Sequence, residues 1–291
     1  MLSRPLGPAA PAVSAVGYGG MHLSIEGRPP EAQGIRVILA ALDAGMTLID
    51  TADVYCLDDA ELGHNERLIA AALASWRGRR ETVFVATKGG LSRPHGRWER
   101  NGRPAHLRRA CEQSLRALGV DRIDLYQLHA PDPAVPFEES VGALADLARE
   151  GKIRWVGLSN VSAPQIKAAE QQVTIATVQN RLNPFFRDAI TDGVVDYCGR
   201  RRIGFLAYSP TGGGRLNLKL PNHPVLARLA RDLGVSAHQV VIAWVLAQGR
   251  TVIAIPSARK VEHVEDSARA ADLTLSAADL DAITRAEFSR V

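Results

Sequence analysis

Cysteine is scarce in this chain: Cys56, Cys111 and Cys198 are the full complement among 291 residues. They are widely spaced and form no CxxC pair. That excludes a disulfide framework and a structural zinc site, and it fits a reducing compartment. The 8 histidines are scattered, and none shows the HExxH-like spacing of a catalytic metal site. No run of about 18 apolar residues is present to cross a bilayer, and no basic start followed by an apolar segment suggests a leader. Strong charge of either sign is missing too. A formal net charge of +4 gives no warrant for a nucleic-acid or membrane partner, although it mildly favours anionic ligands. Interdomain linkers, low-complexity tracts and solenoid-type repeats are also absent. A cytoplasmic location, as a monomer or simple homo-oligomer, is the expectation.

What remains is a composition of 46% hydrophobic and 23% charged residues, enough apolar material for a sizeable core. Apolar runs alternate with amphipathic segments along the whole length. Strands are predicted over 14–18, 46–50, 82–87, 123–128, 153–158, 175–178, 203–207 and 251–255. Helices are predicted over 31–44, 66–75, 104–118, 137–150, 162–170, 188–201, 223–233, 236–247, 261–271 and 277–286. Several carry terminal signals: Pro104 and Pro164 in first turns, Ser162 as a cap, and Gly45, Gly119 and Gly151 as stops. Residues 1–13, rich in Pro and Ala, read as an irregular or hairpin lead-in. Strands alternating with helices imply a parallel sheet, and eight of them with none left over imply a closed barrel. The predicted fold is therefore α/β: a single (β/α)8 TIM barrel over 1–291, with two extra helices outside the repeat.

Chemistry in such a barrel sits where strands end. The stretch MTLIDTADVY stops an apolar run on Asp50 and places Tyr55 five residues later. The third predicted strand ends on Lys88 and the fourth on His129. Taken singly, Asp50 could cap a helix, Lys88 could be a solvated charge and His129 a packed structural residue. Together, on three neighbouring strand ends, they address one chemical problem. A free phenol has a pKa of about 10 and donates protons poorly near neutrality. A cationic Lys88 would lower that value, Asp50 would hold the ammonium, and His129 would either hydrogen-bond the same oxygen or orient a substrate carbonyl. That set suits carbonyl reduction if a hydride donor lies alongside.

The segments LIDTADVY, ATKGG, DLYQLHAPDP, VGLSN, VQNRLNP, AYSP and AIPSARKVEHVEDS, in this order, resemble those of the aldo-keto reductases from about residue 13 onwards. The resemblance implies a (β/α)8 barrel that binds NAD(P)H along its rim without a Rossmann GxGxxG, and none occurs here. By position it implies Tyr55 as proton donor, Lys88 and Asp50 as its activating pair, and His129 as the residue aligning the carbonyl. Ser159, Asn160 and Gln179 match the groups that hold the nicotinamide carboxamide, and Tyr208 matches the aromatic that stacks on its ring. Ser209, Pro210 and Gly212 lie where the pyrophosphate passes. Ser257, Arg259 and His263, with Asp266 nearby, resemble the adenosine and 2′-phosphate end, where a helix N-terminus could hold phosphate. Arg259 tilts the cofactor to NADP(H) over NAD(H). Cys56 stands where the family often has Gly, which reads as a local backbone change.

The expected substrate is a small aldehyde or ketone, met by Met21, Tyr55, Trp98 and His129. The loop over 92–104 carries Arg93, His95, Arg97, Trp98, Arg100 and Arg103. Overhanging the site, it would favour aromatic or anionic aldehydes, a pyridoxal-like one among them given the family's bacterial pyridoxal reductases; the competing reading is a solvated charged loop. Two rival functions remain open at this point. One is a cofactor-binding regulatory module with little turnover. The other is a Schiff-base aldolase using Lys88.

Overall fold

The computed structural model describes residues 1–290. Its central sheet has eight parallel strands: β1 (Tyr18–Gly19), β2 (Leu48–Asp50), β3 (Phe84–Gly89), β4 (Ile123–Leu128), β5 (Ile153–Ser159), β6 (Ile175–Arg181), β7 (Gly204–Tyr208) and β8 (Val252–Ile255). They neighbour one another in sequence order. A Val16–Ala254 bridge brings the first strand to the last, with the Gly17 N–H donating to the Ala254 carbonyl at 2.8 Å. The predicted barrel is the observed one.

Alternation within the strands builds two cores. Ile49, Val85, Tyr126, Ile175, Phe205 and Val252 face outward into the layer beneath the helices. Their neighbours Leu48, Ala86, Leu125, Ala176, Leu206 and Ile253 face inward. Side chains two residues further along a strand share a face. The inward row thus passes from Leu48, Ala86 and Leu125 to Asp50, Lys88 and Gln127. A register shift at Ile175/Thr177 brings Thr177 and Gln179 onto the same interior, so the upper barrel is a buried polar layer resting on an apolar one.

The lead-in is a hairpin, Ser3–Pro5 paired antiparallel with Ala12–Ser14. Its Leu6 and Val13 join the interior core and cover the end of the barrel where the strands begin. The approach is close: a Cβ on Gly7 would lie 2.2 Å from the Ala176 carbonyl oxygen, and one on Gly204 would lie 2.1 Å from that of Leu6. Residues 12–14 therefore belong to this hairpin, and only Tyr18–Gly19 forms the first barrel strand, shorter than the 14–18 predicted.

The helices are α1 (Glu31–Asp43), α2 (His64–Ser75), α3 (Pro104–Leu118), α4 (Phe137–Arg149), α5 (Ala163–Ala169), α6 (Asp188–Thr191), α7 (Val194–Arg201), α8 (Gly214–Asn217), α9 (Pro224–Leu233), α10 (Ala237–Ala247), α11 (Val261–Arg269) and α12 (Ala277–Arg285). The single helix predicted over 188–201 is two, because Gly193 adopts φ 74° at the N-cap of α7. A left-handed residue cannot continue an α-helix. Helices α9 and α12 stand outside the strand–helix repeat, as expected. Among the described residues no helix is long and apolar enough to cross a membrane.

Candidate active site

Parallel pairing sets Asp50 opposite Ala86 and Lys88 opposite Gln127, so the ends of β2, β3 and β4 converge at one rim. Lys88 is fully buried. Its Nζ donates to Asp50 Oδ2 at 2.6 Å, the Thr51 carbonyl at 2.8 Å and the Tyr55 hydroxyl oxygen at 3.0 Å. The other Asp50 oxygen accepts from Gln179 Nε2 at 2.6 Å and Gln127 Nε2 at 3.3 Å. Gly157 makes room for this layer, since a Cβ there would meet Thr177 Oγ1 at 2.4 Å and Gln127 Cγ at 2.7 Å. Tyr55 follows a tight turn in which its N–H reaches the Ala52 carbonyl. Its ring packs with Ala52 and Val54 against Met21, Leu62 and Leu91. Cys56 has no positive φ, so a side chain is accommodated where the family often has Gly.

Burial decides the protonation of this cluster. It raises the Tyr55 phenol above its ordinary value, and the opposing pull of the Lys88 ammonium does not reverse that, because Asp50 adds to the rise. Lys88 does pull the phenol towards acidity, as expected, but burial outweighs that pull, and in a site this dry the neutral phenol is favoured. Burial works against the Lys88 ammonium, but the charge of Asp50 and the contact with Tyr55 outweigh it and hold the group above its usual value. His129 is pushed well below the ordinary imidazole value, by burial first and by Lys88 second. Its ring stands edge-on to Tyr55 with centroids 5.8 Å apart, and its Nδ1 is buried without a hydrogen-bond partner.

A cleft of about 620 Å³ opens over these groups. It is lined by Asp50, Tyr55, His129, Met21 and Trp98 at one end, by Ser159, Asn160, Gln179, Tyr208, Ser209 and Pro210 along the middle, and by Ser257, Arg259 and His263 at the other end. The middle group is tied together. Ser159 Oγ donates to the Gln179 carbonyl at 2.8 Å, Asn160 Nδ2 to the His129 carbonyl at 3.0 Å, and the Tyr208 hydroxyl to Asn160 Oδ1 at 2.9 Å. Asn160 and Ser209 hold positive φ angles of 58° and 48°, a backbone form Asn tolerates better than most residues.

Three expected residues do not line the cleft: Lys88, fully buried against Asp50 and Tyr55, and Gly212 and Asp266. Gly212 packs towards Phe185 and Leu216. The Asp266 carboxylate accepts from Ser236 Oγ and Gln239 Nε2, both at 2.6 Å, and so braces α11 against α10. Conversely, His22, Thr211, Gly213, Gly214, Asn217 and Lys260 line the cleft unforeseen. Lys260 adjoins Arg259 and could have been read as part of one basic pair. Of the others, Gly214 and Asn217 bound the four-residue helix α8 and His22 lies in a single 3-10 turn, each too short for a periodicity to reveal its direction, and Thr211 and Gly213 sit on the loop before α8.

The fold and site define a class: a parallel barrel with an Asp–Lys–Tyr–His set at its mouth and a long polar cleft leading away from it. The aldo/keto reductase family model matches residues 15–287, and the chain belongs to that family. It is similar to an uncharacterized oxidoreductase of Schizosaccharomyces pombe, 35% identical over 269 residues, covering 91% of this chain and 83% of that one. Among solved structures it resembles an aldo-keto reductase from Klebsiella pneumoniae in complex with NADPH, with TM-score 0.81, 30% identity and coverage of 98% and 95% of the two chains. It also resembles a glycerol dehydrogenase from Gluconobacter oxydans, with TM-score 0.83, 31% identity and coverage of 97% and 93%.

Proposed function

We propose that the protein reduces small aldehydes and ketones to alcohols with NADPH, Tyr55 acting as general acid. The observation that carries this reading is the direction of the hydrogen bond between Lys88 and Tyr55. An ammonium has donors only, so at 3.0 Å the Tyr55 oxygen is the acceptor. The phenol's own proton is left for a group in the cleft. Burial keeps that proton in place until a stronger base develops there.

A bound reduced nicotinamide supplies the hydride. Neutral His129 orients the carbonyl oxygen, and the Tyr55 proton passes to that oxygen as negative charge grows on it. Lys88 stabilises the phenolate left behind, and Asp50, held by Gln179 and Gln127, keeps Lys88 charged and in place. The donor set along the cleft suits an anionic dinucleotide. Ser159, Asn160 and Gln179 offer hydroxyl and amide groups to the carboxamide, and Tyr208 offers a ring face. Ser209 and Pro210 border the pyrophosphate path. Ser257, Arg259, Lys260 and His263 lie at the start of α11, whose N-cap makes no side-chain hydrogen bond. Its first-turn N–H groups are free of a side-chain cap to take a phosphate, and the adjacent guanidinium and ammonium favour NADPH over NADH.

Support also comes from the family, whose members are named for this reduction, and from the NADPH held by the Klebsiella relative. A Schiff base on Lys88 is disfavoured: it needs a free amine, whereas each N–H of this ammonium has a partner. The test is a fluorescence titration with NADPH and NADH, followed by turnover of 4-nitrobenzaldehyde. Tyr55→Phe should keep NADPH affinity and lower kcat by roughly 10²-fold or more, about 3 kcal/mol of barrier. A Tyr55→Phe variant that turns over normally would remove Tyr55 from the mechanism, and absent turnover in the wild type would leave the regulatory-module reading in its place.

A further inference from the structure

Arg93 is a fully buried cation that the chemistry above does not use. Its Nη2 donates to Glu26 Oε1 at 2.9 Å and to the Cys56 and Leu57 carbonyls, each at 3.0 Å. Glu26 lies on the loop after β1, and Cys56 and Leu57 on the loop just beyond Tyr55. Arg93 itself lies on the loop after β3, so one guanidinium ties three loops of the rim. Its Nε and Nη1 are buried without a hydrogen-bond partner. Orphaned donors of this kind are uncommon in native folds and need a compensating role.

The face of the guanidinium supplies that role. Arg93 Cζ lies 4.0 Å from the Trp98 ring centroid, a stack that strengthens when water is excluded from the cation. Trp98 stands in a short hairpin of Leu91–Ser92 with Glu99–Arg100 and is 45% exposed, so packing elsewhere does little to fix it. It lines the cleft and presents its ring to Tyr55 at 6.3 Å between centroids and 72° between planes. The other cations of this loop, His95, Arg97, Arg100 and Arg103, are exposed and line none of the cleft. Flat apolar contact, rather than charge on the substrate, is what the loop offers.

We propose that Arg93 is a positioning residue that moors Trp98 as a wall of the substrate pocket, and that the pocket so formed selects planar aryl aldehydes over short aliphatic ones. The substrate half rests on the carbonyl-reductase reading above. A wall fixed in advance removes the ordering cost that a free indole would add to each binding event. Lys cannot substitute, since it keeps the charge but has no planar face to stack.

The test compares wild type, Arg93→Lys, Trp98→Ala and the double variant on 4-nitrobenzaldehyde and propanal. Arg93→Lys should lower the ratio of aryl to propanal kcat/KM by about tenfold, chiefly through KM for the aryl substrate, and the double variant should fall no further than Trp98→Ala alone. Acrylamide quenching gives a second reading that needs no turnover. The Trp98 contribution, obtained by difference from Trp98→Phe in each background, should become more quenchable once Arg93 is replaced. Equal losses on both aldehydes, or additive losses in the double variant, would overturn the selectivity claim. Unchanged quenching would overturn the mooring itself. Arg93→Lys retains a cation for Glu26, and circular dichroism verifies its fold. A wild type inactive on both aldehydes would defeat the function reading, while quenching would still decide the mooring.

Discussion

Lys88 places its N–H groups on Asp50, Thr51 and Tyr55, and that assignment sets what substitutions there will do. Lys88→Met leaves the Asp50 carboxylate buried without its counter-ion. The expected cost is about 3–5 kcal/mol in urea unfolding, and Asp50→Asn added to it should recover part of the stability and none of the activity. The pH dependence follows from protonation. Burial raises Tyr55 above the ordinary tyrosine value, so its proton is present throughout neutral pH and is lost only above about pH 10. His129 is held well below its ordinary value, so no acid limb belongs near pH 6.5. The kcat/KM for reduction should be flat from about pH 7 to 9; a limb near 6.5 that vanishes in His129→Gln would contradict the neutral imidazole. The proposed catalytic residues were legible because each ends or follows an apolar run. The orientation of Arg93 was not, since a sequence gives its charge and not the three loops that close over it.

Elements owe their legibility to periodicity and to their ends. The barrel strands could be read because inward and outward rows are both apolar, and the helices because Gly and Pro mark their limits. Where left-handed backbone intervenes, as at Gly193 between α6 and α7, the apolar spacing alone joined two helices into one. The lead-in hairpin was foreseen as a hairpin or irregular segment, but not as a lid on the barrel floor, because that needs the contact of Leu6 with strand ends far along the chain. Leu6→Ala should cost about 2–5 kcal/mol in stability, measured by urea unfolding. It should leave kcat near the wild-type value, since Leu6 belongs to the apolar layer on the floor and the reacting groups to the polar layer above it.

For the molecule as a whole, a dinucleotide spread from Tyr55 to His263 would contact groups on most of the strands and so stabilise them together. At 100 times its Kd a ligand specific for the native state adds about 2.7 kcal/mol. In a domain of this size that is a rise in Tm of about 4 °C. NADPH should produce such a rise in a thermal melt, NADH at equal concentration a smaller one, and Arg259→Ala should narrow the gap between them. The hairpin on the floor has one more consequence. With that end stoppered by Leu6 and Val13, coenzyme and carbonyl compound share a single doorway. The groups proposed to grip the pyridine ring, Ser159 and Gln179, are 1% and 2% exposed, whereas Trp98 at the threshold is 45% exposed. Under the proposed reduction, that difference in exposure predicts an ordered exchange, with coenzyme in first, alcohol out first and spent coenzyme last, which product-inhibition kinetics would check.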